Sequence, residues 1–302
     1  MNRETYHPFR SEKAKEQYLS YYDKKAAKWP VDSENRVVDT CYGQTFMRIS
    51  GPVDAPALVL LPGVSASSLM WKYSVKALSE HYCVYAIDNI YDVGRSVYSR
   101  RMRSSEDFVK WLNELFTTLE LGNKINLMGL SYGGWLTAKY AVKHPERLNK
   151  IVLIAPAATV LQIRQAFYRR VMLCLIPHRW FVKNLMYWLL KDAVNKHEAY
   201  QEQVDRYIDE VMLSNQSFRP KATVNPTVLD DDELKRLVMP TLFLVGENEK
   251  IYSAQSAIDR LKKIAPQIKT EMISNVGHDL LFLEQSLVLS KIIAFLKNPV
   301  NN

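Results

Sequence analysis

Long apolar runs are missing from this 302-residue chain. No stretch approaches the ~18 uninterrupted apolar residues that span a bilayer, which argues against an integral membrane segment. The first residues, Met1 to Lys28, are polar and charged and contain no apolar h-region. No secretory signal is evident there, and a cytoplasmic location is expected. Cysteine is scarce. Cys41, Cys83 and Cys174 are odd in number, widely spaced and set in apolar or strand-like surroundings. They are expected to be reduced, buried thiols, and their spacing fits neither a disulfide framework nor a metal site. The net charge is +8, with basic clusters at Arg100, Arg101 and Arg103 and at Arg164, Arg169 and Arg170. No nucleic-acid motif appears, so solvated helix faces explain the charge better than nucleic-acid binding.

Glycine is also scarce, with ten in the chain. Its clustering is therefore informative. Gly129-Leu130-Ser131-Tyr132-Gly133 follows the apolar run Ile125 to Met128 and precedes the helix-like stretch Trp135 to Val142. Composition alone predicts roughly 0.02 such Gly-x-Ser-x-Gly matches. Strand, sharp turn and helix are the setting of a nucleophile elbow, in which a strained turn lifts the serine hydroxyl above a sheet. The flanking glycines leave room where strand and helix cross.

The rest of the chain supplies the sheet. A helix over Glu12 to Lys28 is stopped by Pro30, and Arg36 to Cys41 and Thr45 to Ile49 read as a hairpin. Ala57 to Leu61, Tyr82 to Ile87, Ile125 to Met128, Lys150 to Ile154, Thr241 to Val245 and Thr270 to Ile273 are short apolar strands, as a parallel sheet buried on both faces requires. Helical spacing falls between them at Leu69 to Glu80, Ser104 to Leu121, Ser253 to Ile264 and Glu284 to Leu296. Alternation breaks at Thr159 to Ser217, which is largely helical in pattern and rich in Tyr, Trp, Met and Leu. The fold class is α/β: a mostly parallel central sheet flanked by helices, with an inserted helical cap. The expected core is 1–156 with 236–302, and the expected cap is 157–235.

Serine needs a base to take its proton, and the base needs an acid to orient it. His278, in the loop after the last expected strand, lies at the sheet edge expected for Ser131, where open α/β sheets bind ligands. The acid belongs on the loop after Thr241 to Val245, and both Glu247 and Glu249 are candidates. Glu249, three residues past Gly246, is better placed to turn back over the edge. An oxyanion hole needs backbone donors. The N–H groups of Tyr132 and of Val64, after Pro62-Gly63, are the candidates.

Ser131, Glu249 and His278 stand in the order of the α/β-hydrolase family, which the chain resembles from about Arg36 to Lys297. More narrowly, the Tyr-rich N-terminal helix running into Trp29-Pro30 and the acid loop Gly246-Glu247-Asn248-Glu249-Lys250-Ile251-Tyr252 resemble bacterial carboxylesterases of the naproxen-esterase type. That subgroup uses glutamate as the triad acid, which points to Glu249. The chain departs from the family in having Pro62-Gly63 where His-Gly is common, and Ile90-Tyr91-Asp92 where Pro-Gly is usual.

The resemblance implies hydrolysis of small apolar or aromatic esters through an acyl-serine, without metal or organic cofactor, by a monomer or homodimer. Tyr91, Phe167, Met172, Met186 and Trp188 are the expected pocket lining. Carbon–carbon bond hydrolase, thioesterase, lactonase and perhydrolase chemistry share the machinery, and a small-ligand receptor can be built on the same fold.

Overall fold

The computed structural model describes residues 5–299. Helix α1 (Glu12–Ala26) leads into a hairpin of β1 (Glu34–Thr40) and β2 (Gly43–Ser50), which is followed by β3 (Ala57–Leu61). A 3-10 turn, Ser68–Tyr73, and α2 (Val75–Ser79) lead to β4 (Cys83–Ile87) and the two-residue β5 (Val97–Tyr98). Then come α3 (Ser105–Thr118), β6 (Ile125–Leu130), α4 (Tyr132–Lys143) and β7 (Leu148–Ile154). Four helices leave the sheet: α5 (Gln165–Leu173), α6 (Arg179–Leu189), α7 (Lys191–Lys196) and α8 (Glu198–Ser217). The short α9 (Asp231–Lys235) returns the chain to β8 (Thr241–Gly246), α10 (Ala254–Ile264), β9 (Lys269–Ile273), α11 (Leu280–Leu283) and α12 (Gln285–Lys297).

The strand order is β1-β2-β4-β3-β6-β7-β8-β9, with β5 beside β2. Every pairing from β4 to β9 is parallel, and those made by β2 are antiparallel. Both faces of the parallel part are covered. Ile125, Leu127, Phe243 and Val245 enter one core with α3 and α10, while Met128, Leu242 and Leu244 enter the other with α2 and α12. That double burial is why these strands read as continuous apolar runs.

A third cluster ties the N-terminal helix to the rest. Tyr18 and Tyr22 of α1 pack with Phe9, Phe46 and Phe218. The Tyr22 hydroxyl donates to Asp88, and the other Asp88 oxygen accepts from Ser68 N–H at 2.7 Å. Asp88 is fully buried, and burial raises its carboxyl above the usual range. Tyr21 and Lys25 reach Glu210 of α8, so α1 straps the sheet to the inserted helices. Among the described residues no helix is long and apolar enough to cross a membrane.

Several local expectations shift. The stretch Leu69 to Glu80 is split at Ser74 into a 3-10 turn and a short α-helix. Helix α3 stops at Thr118, and Glu120 takes up a left-handed φ of 54° before Gly122 does. The cysteines are free, but of the three expected to be buried Cys174 is only half-buried and Cys41 is exposed. Cys41 occupies the two-residue turn between β1 and β2, where its N–H donates to Glu114 at 2.7 Å.

Candidate active site

All the loops that carry the candidate residues leave the carboxyl ends of parallel strands: β3, β4, β6, β7, β8 and β9. This edge is strained. Among the described residues six non-glycines have positive φ, and Ser65, Ser131, Ala155, Ala158 and Asn275 all lie on these loops. Sparsely populated backbone persists where surrounding structure over-determines it, and it clusters at functional sites.

Ser131 joins β6 to α4 with φ 52° and ψ −112°. Its N–H donates to Ile154 O at 2.9 Å, and its carbonyl accepts from Ala157 at 3.0 Å. The turn is thus held by the loop after β7. A Cβ on Gly129 would lie 2.2 Å from Gly133, and one on Gly133 would lie 2.2 Å from Leu61 O. Both contacts are with backbone, which cannot step aside. Gly133→Ala is therefore expected to destabilise the fold by roughly 2–4 kcal/mol. Gly122→Ala, at φ 66° but in open space, should cost only about 1 kcal/mol. Thermal denaturation of the two variants checks the contrast. Equal losses would mean that the crossing of β3, β6 and α4 tolerates a side chain.

The loop after β3, where the second oxyanion donor is expected, lies beside the serine. A Cβ on Gly63 would sit 3.8 Å from the Ser131 Cβ. Val64 follows and is 44% exposed. Tyr132 is the first residue of α4, so its N–H has no intrahelical acceptor. Its side chain has a second task, since the buried hydroxyl donates to Val224 O at 2.9 Å, in the segment after α8.

Nδ1 of His278 lies 2.8 Å from Glu249 Oε2. Glu249 is buried, and its other oxygen accepts the N–H groups of Lys250 at 2.8 Å and Ile251 at 3.0 Å. A carboxylate only accepts, so His278 donates from Nδ1 and leaves Nε2 free to act as a base. Burial pulls the imidazole pKa down, but the Glu249 charge and hydrogen bond outweigh it, and the net shift is upward. Glu247 does different work. Its Oε2 accepts from Asn275 N–H at 3.0 Å, clasping the acid loop to the histidine loop. The two loops also meet at Gly246, where a Cβ would be 2.3 Å from Gly277 O.

The expected pocket residues separate. Tyr91 is buried, with its ring edge-on to Tyr98 at 4.7 Å. Phe167 and Trp188 are half-buried and pack toward the core that holds Tyr132, while Met186 packs toward the other core. Met172 is 64% exposed and does not face inward. Helical phase explains this, because Tyr168, Arg169, Met172 and Leu173 share the outer side of α5.

Three features escaped the sequence reading. Asp92 accepts from Ser65 N–H at 2.9 Å, so this carboxylate braces the turn after β3. Burial raises its pKa, against the pull of the Lys221 charge. Asp279, next to His278, accepts from Gly277 N–H at 3.0 Å and from Ala193 N–H of α7 at 2.7 Å. Asn248 donates to Asp192 of α7 at 3.2 Å. The inserted helices are thereby fastened to both loops that hold the imidazole. The extra residue beside Asp92 was a visible signal, whereas nothing local announces the contacts to α7.

A family model described as Hydrolase_4, serine aminopeptidase, S33, matches residues 54–286. The chain is 32% identical over 280 residues to carboxylesterase YbfK of Bacillus subtilis (strain 168), covering 92% of this chain and 93% of that protein. It is 31% identical over 280 residues to the uncharacterized carboxylesterase nap of the same organism, covering 92% and 91%. The crystal structure of naproxen esterase from Bacillus subtilis superimposes with a TM-score of 0.84 at 30% identity, covering 95% of this chain and 99% of that one.

Proposed function

The chain belongs to the Hydrolase_4 family (serine aminopeptidase, S33), and we propose that within it the protein is a carboxylesterase with Ser131 as nucleophile, His278 as base and Glu249 as acid. The observation that carries this reading is the 2.8 Å contact between His278 Nδ1 and Glu249. It lies at the sheet edge where the strained Ser131 turn projects.

In this reading His278 Nε2 takes the Ser131 proton as Oγ attacks the ester carbonyl. The N–H groups of Tyr132 and Val64 receive the developing oxyanion. His278 then protonates the leaving alcohol. Water, activated by the same imidazole, releases the acid and regenerates Ser131. Residues 157–235 act as a cap, with Tyr91, Phe167 and Trp188, on the same core as Tyr132, as the apolar wall for a small or aromatic ester.

The family's description raises aminopeptidase chemistry as the alternative. An aminopeptidase must hold a substrate ammonium, for which a carboxylate is the fitting partner. Residues 161–191, which include α5 and α6, contain neither Asp nor Glu. The carboxylates that do flank the triad, Asp92, Asp192 and Asp279, are each engaged by N–H donors of the neighbouring loops, which favours neutral esters. Turnover of p-nitrophenyl butyrate and alanine p-nitroanilide should separate the readings, with kcat/KM for the ester higher by at least about a thousandfold. The reverse preference would sink the esterase assignment and leave the triad standing.

A further inference from the structure

Thirteen large apolar side chains are exposed among the described residues, and six fall between positions 168 and 180. They are Tyr168, Met172, Leu173, Leu175, Ile176 and Trp180, from 39% to 73% exposed. Scattered exposed apolar residues are ordinary, but a contiguous set marks a surface that meets something. On α5 the outward face runs through positions 165, 168, 169, 172 and 173. A helix facing water places polar groups there; this one presents Tyr168, Met172 and Leu173. The turn before α6 and the first residues of α6 continue the patch.

The charge within the segment that carries the patch has one sign. Residues 161–191 hold Arg164, Arg169, Arg170, Arg179, Lys183 and Lys191 and no acidic residue. Asp205 and Asp209 of α8 answer Arg179 and Lys183. Arg164, Arg169 and Lys191 are exposed and form no ion pair with described residues. Beside Trp180 opens a groove of about 620 Å³, lined by Tyr187 and Trp188 and edged by Lys183 and Lys191.

We propose that this face of the cap docks on an anionic lipid surface, its apolar side chains entering the interface and its cations meeting the headgroups. Tryptophan and aliphatic side chains flanked by lysine and arginine are the composition of an interfacial segment, and unanswered cations near the surface supply attraction to anionic lipid. A second copy fits worse. A self-complementary contact would bring this acid-free segment against itself and oppose like charges. Docking here would hold the cap, and the pocket beneath it, at the phase where apolar esters partition. The inference does not rest on the triad, so Ser131→Ala should dock as the wild type does.

The test is co-sedimentation of the full chain with vesicles of phosphatidylcholine alone and of equal parts phosphatidylcholine and phosphatidylglycerol. The protein should pellet with the anionic vesicles, remain in solution with the neutral ones, and be released by high salt. The double variant Leu175→Glu/Ile176→Glu and the single variant Arg169→Glu should each weaken anionic partitioning by about tenfold or more. Both should keep the wild-type turnover of water-soluble p-nitrophenyl acetate, which reports an intact fold and site. Failure to bind anionic vesicles at low salt, or equal binding to both compositions, would overturn the proposal. So would self-association in sedimentation equilibrium that the double variant abolishes, which would give the face to a second copy.

Discussion

Ser131→Ala is expected to lower kcat for p-nitrophenyl butyrate by about five orders of magnitude while leaving the fold in place. The size follows from the chemistry. Removing the nucleophile of a serine triad leaves only binding and oxyanion stabilisation, roughly 10³–10⁴ over water. The structure makes the variant a clean one. The turn at Ser131 is held by its own N–H on Ile154 and by its carbonyl on Ala157, and an alanine keeps both. The serine hydroxyl does not cap α4, so the helix loses nothing. The change in stability should stay within about 0.5 kcal/mol.

A fluorophosphonate probe supplies the second readout. It forms a covalent bond only with a serine whose proton a neighbouring base can take. Mass spectrometry of the wild type should find the label on Ser131, and the variant should carry none. Retained turnover, or a label on another serine, would move the active site away from the elbow. Labelling at Ser131 without turnover would keep the elbow armed and remove the esterase, the behaviour expected of a receptor built on this fold.

The parts of the site that were legible in the sequence share a property: each is encoded within a few consecutive residues. The elbow needs glycine at 129 and 133 because backbone crosses there at distances no Cβ fits, and that need leaves a mark in a glycine-poor chain. The strands were visible because burial on both faces demands apolar runs. Glu249 could be preferred over Glu247 from loop length, and the structure shows why both are present: one holds the imidazole, the other clasps the loops together. What could not be read was the long-range part. Asp279 bonds to Ala193 across 86 positions, and Tyr132 to Val224 across 92. No local pattern distinguishes such an aspartate from a solvated one. Met172 was misplaced for a related reason. An aromatic, Met-rich stripe at helical spacing states that a face is apolar but not which way it points. Met172 was expected over the pocket and stands on the outside of α5.

Glu249→Gln should cost about 10⁴ in kcat, nearly as much as loss of the serine, and it should also move the pH profile. Two effects combine. A glutamine amide can donate to Nδ1, which would place the ring proton on Nε2 and disable the base. The negative charge that stabilises the imidazolium disappears as well. Only the second effect has a pH signature, and its sign is determined by the balance of causes at His278. Burial lowers the imidazole pKa, and the Glu249 charge and hydrogen bond raise it above the ordinary value. The base must be neutral to act, so the wild-type acid limb of kcat/KM should lie above the ordinary imidazole pKa of about 6.5. With the charge removed, burial is opposed only by the Asp279 charge, and the limb should shift to lower pH. Glu249→Asp keeps the charge but is shorter by one methylene. It should recover at least about tenfold of the lost rate and return the limb toward its wild-type position. A residue with a merely structural role would lower the rate without moving the limb. If Glu249→Gln leaves the acid limb in place, His278 is not the base that Glu249 holds, and the second glutamate of the loop must be tested in its stead.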